Sequence, residues 1–193
     1  MKGLILGIGA VLLFTAICPA QEFKLGGKVG DFMLRDLAGK EVAFSDLKGA
    51  VTVVTFISTI CPISNAYDDR MNAVYRDYSS KGVKFVFVNS NSNEPAKMVE
   101  QHAKDVGFAF PVYKDAGNVV ADRFGASVTP ESYVIDSTGT IRYHGQIDDN
   151  RNEARVHLPV LRSALDAVMG SKPVEVQQTK AFGCTIKRAR RAT

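Results

Sequence analysis

The chain has 193 residues, 46% of them hydrophobic, with 24 Lys and Arg against 20 Asp and Glu, a formal charge of +4. That length suits a single domain. Much of the small positive excess sits in Lys187-Arg188-Ala189-Arg190-Arg191, so the body is close to neutral and its charge gives no case for nucleic-acid binding.

Met1-Lys2 is a minimal basic start, Gly3 to Ile17 is apolar, and Cys18-Pro19-Ala20 places small residues before Gln21. This pattern predicts a secretory signal peptide over residues 1–20. A membrane anchor would need roughly 20 apolar residues, and the bulky Ile17 speaks against lipid attachment at Cys18. The expected organisation is a signal peptide (1–20), one domain (21–173) and a C-terminal tail (174–193). The expected product is exported, periplasmic or secreted, and does not span a membrane once processed. Its charge falls from +4 to +3 without Lys2. It keeps Cys61 and Cys184, and an even number of cysteines in an exported protein invites a disulfide.

Residues 32–37 and 41–44 read as a hairpin turning at Gly39, and 45–49 as a short turn. Val51-Thr52-Val53-Val54-Thr55-Phe56-Ile57 is apolar and β-branched, the pattern of a fully buried strand. A helix is predicted over 62–80, with Tyr67, Met71, Val74 and Tyr78 on one face and Gly82 as its stop. Residues 83–88 form a second core strand. A helix over 94–106 follows, with Met98, Val99 and Val106 as inward positions, then an extended 108–112 and a short helix over 119–124. Residues 132–136 and 140–144 are strands joined at Gly139. A last helix over 153–169 is interrupted or started late by Pro159. Strand and helix alternate through the middle, which implies a mixed α/β sheet covered by helices on both faces.

Ser58-Thr59-Ile60-Cys61-Pro62 joins the first core strand to the helix. A cysteine at a helix N-terminus meets unpaired N–H groups and a positive dipole end, which favour the thiolate. Pro62 suits the first helical position. Cys61 is therefore the candidate nucleophile, against the plainer reading of an inert or permanently paired cysteine. Ser58 could donate to the thiolate or cap the helix. Cys184 could resolve an intermediate on Cys61 or clamp the tail, and closing so long a loop is worth roughly 4 kcal/mol. Arg70 could steer anions or pair with neighbours such as Asp69. Asn89 and Asn91 lie at the carboxyl end of a core strand, the ligand side of open α/β sheets, or simply form turns. His102, His144 and His157 lack metal-ligand spacing and read as surface or satisfied histidines.

The order of elements, with Cys61-Pro62 at a helix start and Thr129-Pro130 before a strand, resembles the thioredoxin fold. The variant is similar to the alkyl hydroperoxide reductase and thiol-specific antioxidant (redoxin) family, in a peroxiredoxin-like form, over about residues 28–170. Asn65-Ala66-Tyr67, Arg70, Asn89-Ser90-Asn91, Gly145 to Asp149 and Gly183 to Lys187 add to the likeness. The resemblance implies a thioredoxin-like mixed sheet with an N-terminal hairpin extension. It also implies a thiol-dependent oxidoreductase without a cofactor or metal. Cys61 would react with peroxide or protein disulfides, and an external thiol would restore it. It makes Thr129-Pro130 a cis-proline loop facing Cys61, with Pro62, Thr129, Pro130, Asn91 and Arg70 as substrate-binding candidates. Two features depart from the pattern. Ser58 stands where thioredoxins resemble one another in a first cysteine, and Val54 and Ser58 stand where peroxiredoxins carry proline and threonine. The alternative function is a non-catalytic binding module stapled by a Cys61–Cys184 disulfide.

Overall fold

The computed structural model describes residues 22–190. The signal-peptide expectation falls on 1–20, outside the described residues. No helix among the described residues is long and apolar enough to cross a membrane.

The chain opens with the expected hairpin, β1 (Met33–Arg35) and β2 (Glu41–Ala43), in the register Met33↔Ala43. Gly39 supplies the positive φ of +90° that the turn requires. The segment after it is a helical turn, α1 (Phe44–Leu47), where an irregular turn was expected. Phe44 anchors it by stacking on Phe32 at 4.5 Å.

β3 (Thr52–Ile57) is buried at every position, as its unbroken apolar run requires. It pairs in parallel with β4 (Lys84–Asn89) and antiparallel with β7 (Glu131–Ile135). β5 (Val112–Lys114) and β8 (Ile141–Gly145) extend this centre, giving the seven-stranded order β2-β1-β5-β4-β3-β7-β8.

Side chains alternate across the sheet with the period of two that extended backbone imposes. Val53, Ile57, Phe85 and Phe87 face one core with Met71, Val74, Leu161 and Leu165. Val54, Phe56, Val86 and Val88 face the other with Phe44, Val120 and Phe124. α3 (Asp68–Ser79) and α6 (Val160–Met169) cover the first face; α1 and α5 (Val119–Phe124) cover the second. The expected mixed sheet with helices on both faces and an N-terminal hairpin is present.

Three details differ from expectation. The helix predicted over 62–80 is two pieces, α2 (Pro62–Asn65) and α3, because the Tyr67 N–H bonds back to the Ser64 carbonyl at 2.9 Å and tightens the turn. In α4 (Ala96–Asp105) Val99 is fully buried but Met98 is 41% exposed. Adjacent helical residues point about 100° apart, so a narrow contact face takes only one of them. Residues 108–110 are not strand but stack Phe108 on Phe110 at 4.4 Å, and the strand starts at Val112. As expected, the last helix starts late at Pro159: a separate 3₁₀ turn spans Glu153–Arg155, and α6 runs from Val160 with Pro159 as its N-cap.

Phe56 is fully buried, edge-on to Phe124 at 5.7 Å and Tyr133 at 6.0 Å. Phe56→Ala should lower the unfolding free energy by about 3–5 kcal/mol in urea denaturation; a loss below about 1 kcal/mol would contradict this packing.

Candidate active site around Cys61

β3 and β4 run in parallel and end together at Ile57↔Asn89. Beyond that edge the chain bends through Ser58, Thr59 and Ile60 and enters α2. Cys61 is the N-cap of α2: its Sγ accepts the Ser64 N–H at 3.3 Å, and Pro62 takes the first helical position. This assigns the cap to Cys61 and not, as one expectation had it, to Ser58. Ser58 Oγ accepts the Cys61 N–H at 3.2 Å and gives its own proton to Glu94 Oε1 at 2.6 Å. With that proton committed, Ser58 holds the backbone of Cys61 and is not the expected donor to its sulfur.

Glu94 is the hub of this turn. It is 1% exposed and also accepts from Thr59 N–H, Thr59 Oγ1 and Asn89 Nδ2, each at 2.7 Å. Lys114 Nζ reaches into the same cluster and donates to Asn89 Oδ1 at 2.5 Å and the Glu94 carbonyl at 2.6 Å. Burial holds the Lys114 ammonium below the usual lysine range, partly offset by Glu94 and Asp115. Nothing in the sequence reading singled out Glu94; a lone acid inside a polar run carries no periodic signal.

Facing Cys61 is β6 (Val128–Thr129), followed by a cis Thr129–Pro130 peptide bond, as the family resemblance implied. Cys61 Sγ lies 3.5 Å from the Thr129 carbonyl oxygen. Glu131, also absent from the sequence reading, pins this loop. Its Oε2 accepts the N–H groups of Ser127 at 2.9 Å and Val128 at 3.2 Å. Its Oε1 meets His144 Nε2 at 2.5 Å and the Tyr133 hydroxyl at 3.1 Å. Burial opposes the Glu131 charge, but His144 and the two amides outweigh it and hold the carboxyl below its usual range. His144 is thus satisfied structurally, as is His102 on Asp68 at 3.1 Å.

Cys184 comes from the far end of the chain. β9 (Cys184–Thr185) pairs antiparallel with β6, with Cys184 directly opposite Thr129. This brings Cys184 to the strand edge that faces Cys61, and both are free thiols. Burial works to raise the Cys61 thiol. The Cys184 S–H and the N–H groups of Ser64, Cys184 and Ile63 more than offset it, so its pKa lies below the ordinary value. Cys184 is pushed the other way, first by its hydrogen bond to Cys61, then by burial and the Cys61 charge. The two shifts run in opposite directions, so of the pair Cys61 is the more readily ionised.

The remaining candidates divide. Asn91, 3% exposed, accepts the Lys187 N–H at 2.7 Å and so holds the tail. Arg70 does not face the site. It is 7% exposed, pairs with Asp148 at 2.7 Å, donates to the carbonyls of Ala66, Asn150 and Arg151, and lies 3.7 Å over the Tyr67 ring. The expected partner Asp69 is not the one used, because Tyr67 turns that helical face toward the 148–151 loop. Arg70 is thereby spent and cannot serve as a substrate anchor.

The AhpC/TSA family model matches residues 25–144. A hypothetical protein of Sinorhizobium meliloti 1021 superposes with a TM-score of 0.79 at 32% identity, over 88% of this chain and 97% of its own. The thiol-disulfide oxidoreductase ResA of Bacillus thuringiensis is 27% identical over 134 residues, 69% of this chain and 76% of ResA. A Chlorobium tepidum protein assigned as thiol:disulfide interchange protein DsbE shares the fold, with a TM-score of 0.60 at 23% identity over 78% of this chain and 98% of that one.

This difference in acidity is testable. Cys184→Ala removes a donor to the Cys61 thiolate and so favours the protonated form. The midpoint of the pH profile for Cys61 alkylation should move up. A midpoint that stays or falls would contradict the contact.

Proposed function

We propose that this chain, which belongs to the AhpC/TSA family, is a thiol-disulfide oxidoreductase whose redox pair is Cys61 and the tail residue Cys184. The observation that carries the reading is the pairing of Cys184 against Thr129, which sets its thiol beside Cys61, whose pKa is lowered. The curated relatives named thiol-disulfide oxidoreductase support the reaction class. Among the described residues there is no second cysteine in the local turn; Ser58 occupies that place, and the C-terminal segment supplies the missing thiol from 123 positions downstream.

In the reductive direction the Cys61 thiolate attacks one sulfur of a substrate disulfide. A Cys61–substrate disulfide forms, the substrate S–S bond breaks, the departing thiolate takes a proton from solvent, and Cys184 afterwards gives its own proton to solvent. The Cys184 thiolate then attacks Cys61 Sγ and expels the second substrate thiolate, which is protonated by solvent. Two electrons pass to the substrate, and the Cys61–Cys184 disulfide remains for an external dithiol to reduce. No cofactor or metal takes part in this scheme. A permanent Cys61–Cys184 staple would have no use for the thiolate-stabilising contacts. Peroxide reduction by the same pair would proceed through a Cys61 sulfenic acid. The disulfide reaction is favoured because Arg70 is committed to Asp148 and Thr129 presents a backbone edge suited to a peptide.

Export to an oxidising compartment fits this chemistry. It rests on the signal-like sequence of residues 1–20, and the reductant would be a thiol partner of that compartment.

The test is a pair of serine variants with a small protein disulfide as substrate. Cys61→Ser should bring turnover to background. Cys184→Ser should stop after the first half-reaction and accumulate a mixed disulfide on Cys61. Turnover by Cys184→Ser at the wild-type rate, with no trapped adduct, would refute the proposed pair.

A further inference from the structure

The tail does more than carry a sulfur. Cys61 is 1% exposed, and the segment 182–187 lies on the strand edge that faces it. That segment lies as an extra strand on the Thr129 edge. Cys184 pairs with Thr129, Thr185 with Val128, and the Ile186 N–H donates to the Ser127 carbonyl at 3.0 Å. Beyond the pair, the Lys187 carbonyl accepts the Ser92 N–H at 2.9 Å, its N–H donates to Asn91 Oδ1 at 2.7 Å, and the Ala189 N–H donates to Asn118 Oδ1 at 2.6 Å.

Two side-chain positions give the groove its selectivity. At Gly183 an added Cβ would collide with the Thr129 carbonyl, so the residue before the cysteine must be glycine. Ile186 is 3% exposed and enters the core cluster of Val54, Phe56 and Val86. The arrangement reads a Gly-Cys-x-apolar sequence in extended form. Strand addition of this kind draws affinity from main-chain bonds and specificity from alternate side chains. The residues before it, 175–181, are mostly exposed, but Gln177 and Thr179 are hydrogen-bonded to His144 at 3.0 Å, so the arm that can swing begins after Thr179.

We infer that residues Gly183–Lys187 are a built-in occupant of a peptide-binding groove, one that covers Cys61 at rest and is displaced by an extended, cysteine-bearing polypeptide substrate. This rests on the reading of Cys61 as nucleophile and deepens it by naming the substrate class. Release of the tail opens Cys61 to the substrate. Return of the tail brings Cys184 onto the mixed disulfide and drives the product strand out. The same segment is then gate and resolving arm, and a substrate is selected by how well it competes with Gly-Cys-Thr-Ile.

The test reads access to Cys61 and needs no turnover, so a protein inert towards disulfides still answers it. In the processed full-length Cys184→Ser protein, Cys61 is the only thiol. Its limiting alkylation rate at high pH, where ionisation is complete, is compared with that of Gly183→Ala/Cys184→Ser. The added methyl should expel the tail and raise that rate about tenfold or more, as loss of a protecting local closure does, with an unchanged circular dichroism spectrum. A synthetic peptide spanning residues 180–187 with serine at 184 should slow alkylation again, and a scrambled peptide should not. Should Gly183→Ala disturb folding, Asn91→Ala, which frees the Lys187 N–H, is expected to act in the same direction. Equal limiting rates in the folded variants, or a raised rate that the peptide does not reverse, would overturn the inference.

Discussion

The arrangement depends on one backbone pairing, Thr129 against Cys184. Hydrogen bonds between two short strands fix the C-terminal segment to the loop that faces Cys61. Only that pairing brings the second thiol to the first. Each side has its own support. Glu131 ties the 127–129 loop through two main-chain amides, and Ile186 sinks the tail into the second core. The sulfur contact is therefore a consequence of packing and main-chain bonding on both partners, and not of attraction between two flexible side chains.

The electrostatics follow from this geometry. A buried thiolate is unfavourable unless donors meet it. Here the helix N-terminal amides and the Cys184 S–H act together, and the Cys61 thiol ionises more readily than an ordinary cysteine despite burial. The same contact raises the Cys184 thiol. The two thiols thus differ in acidity because of their environments, although the residue type is the same. Behind them the Glu94 cluster holds Ser58 and Thr59, so the turn that presents Cys61 is rigid on its inner side while its outer side is closed by the tail.

Much of the fold was legible in the sequence because its signals are local. The unbroken run 51–57 marks a strand buried on both faces, and Tyr67, Met71, Val74 and Tyr78 mark a helix face that is buried throughout. The break between α2 and α3 was not legible, since it arises from a tertiary demand: Tyr67 turns inward to reach Asp148 at 3.0 Å. The site divides the same way. Cys61 and Thr129-Pro130 stand at junctions that the pattern exposes. Glu94, Glu131 and the partner of Arg70 depend on contacts between distant segments, which spacing does not encode. Gly183 carried a signal whose meaning needed the structure: a glycine beside a cysteine marks a place where backbone presses on backbone.

The central claim is that Cys61 and Cys184 form one redox pair within a single chain. The most direct measurement is a non-reducing peptide mass map of the protein lacking residues 1–20, before and after one equivalent of a small-molecule disulfide. The account predicts two free thiols at the start and, afterwards, the Cys61 and Cys184 peptides joined within a monomer. A mixed disulfide that persists on Cys61 beside a free Cys184, or a Cys61 that stays unmodified, would contradict it.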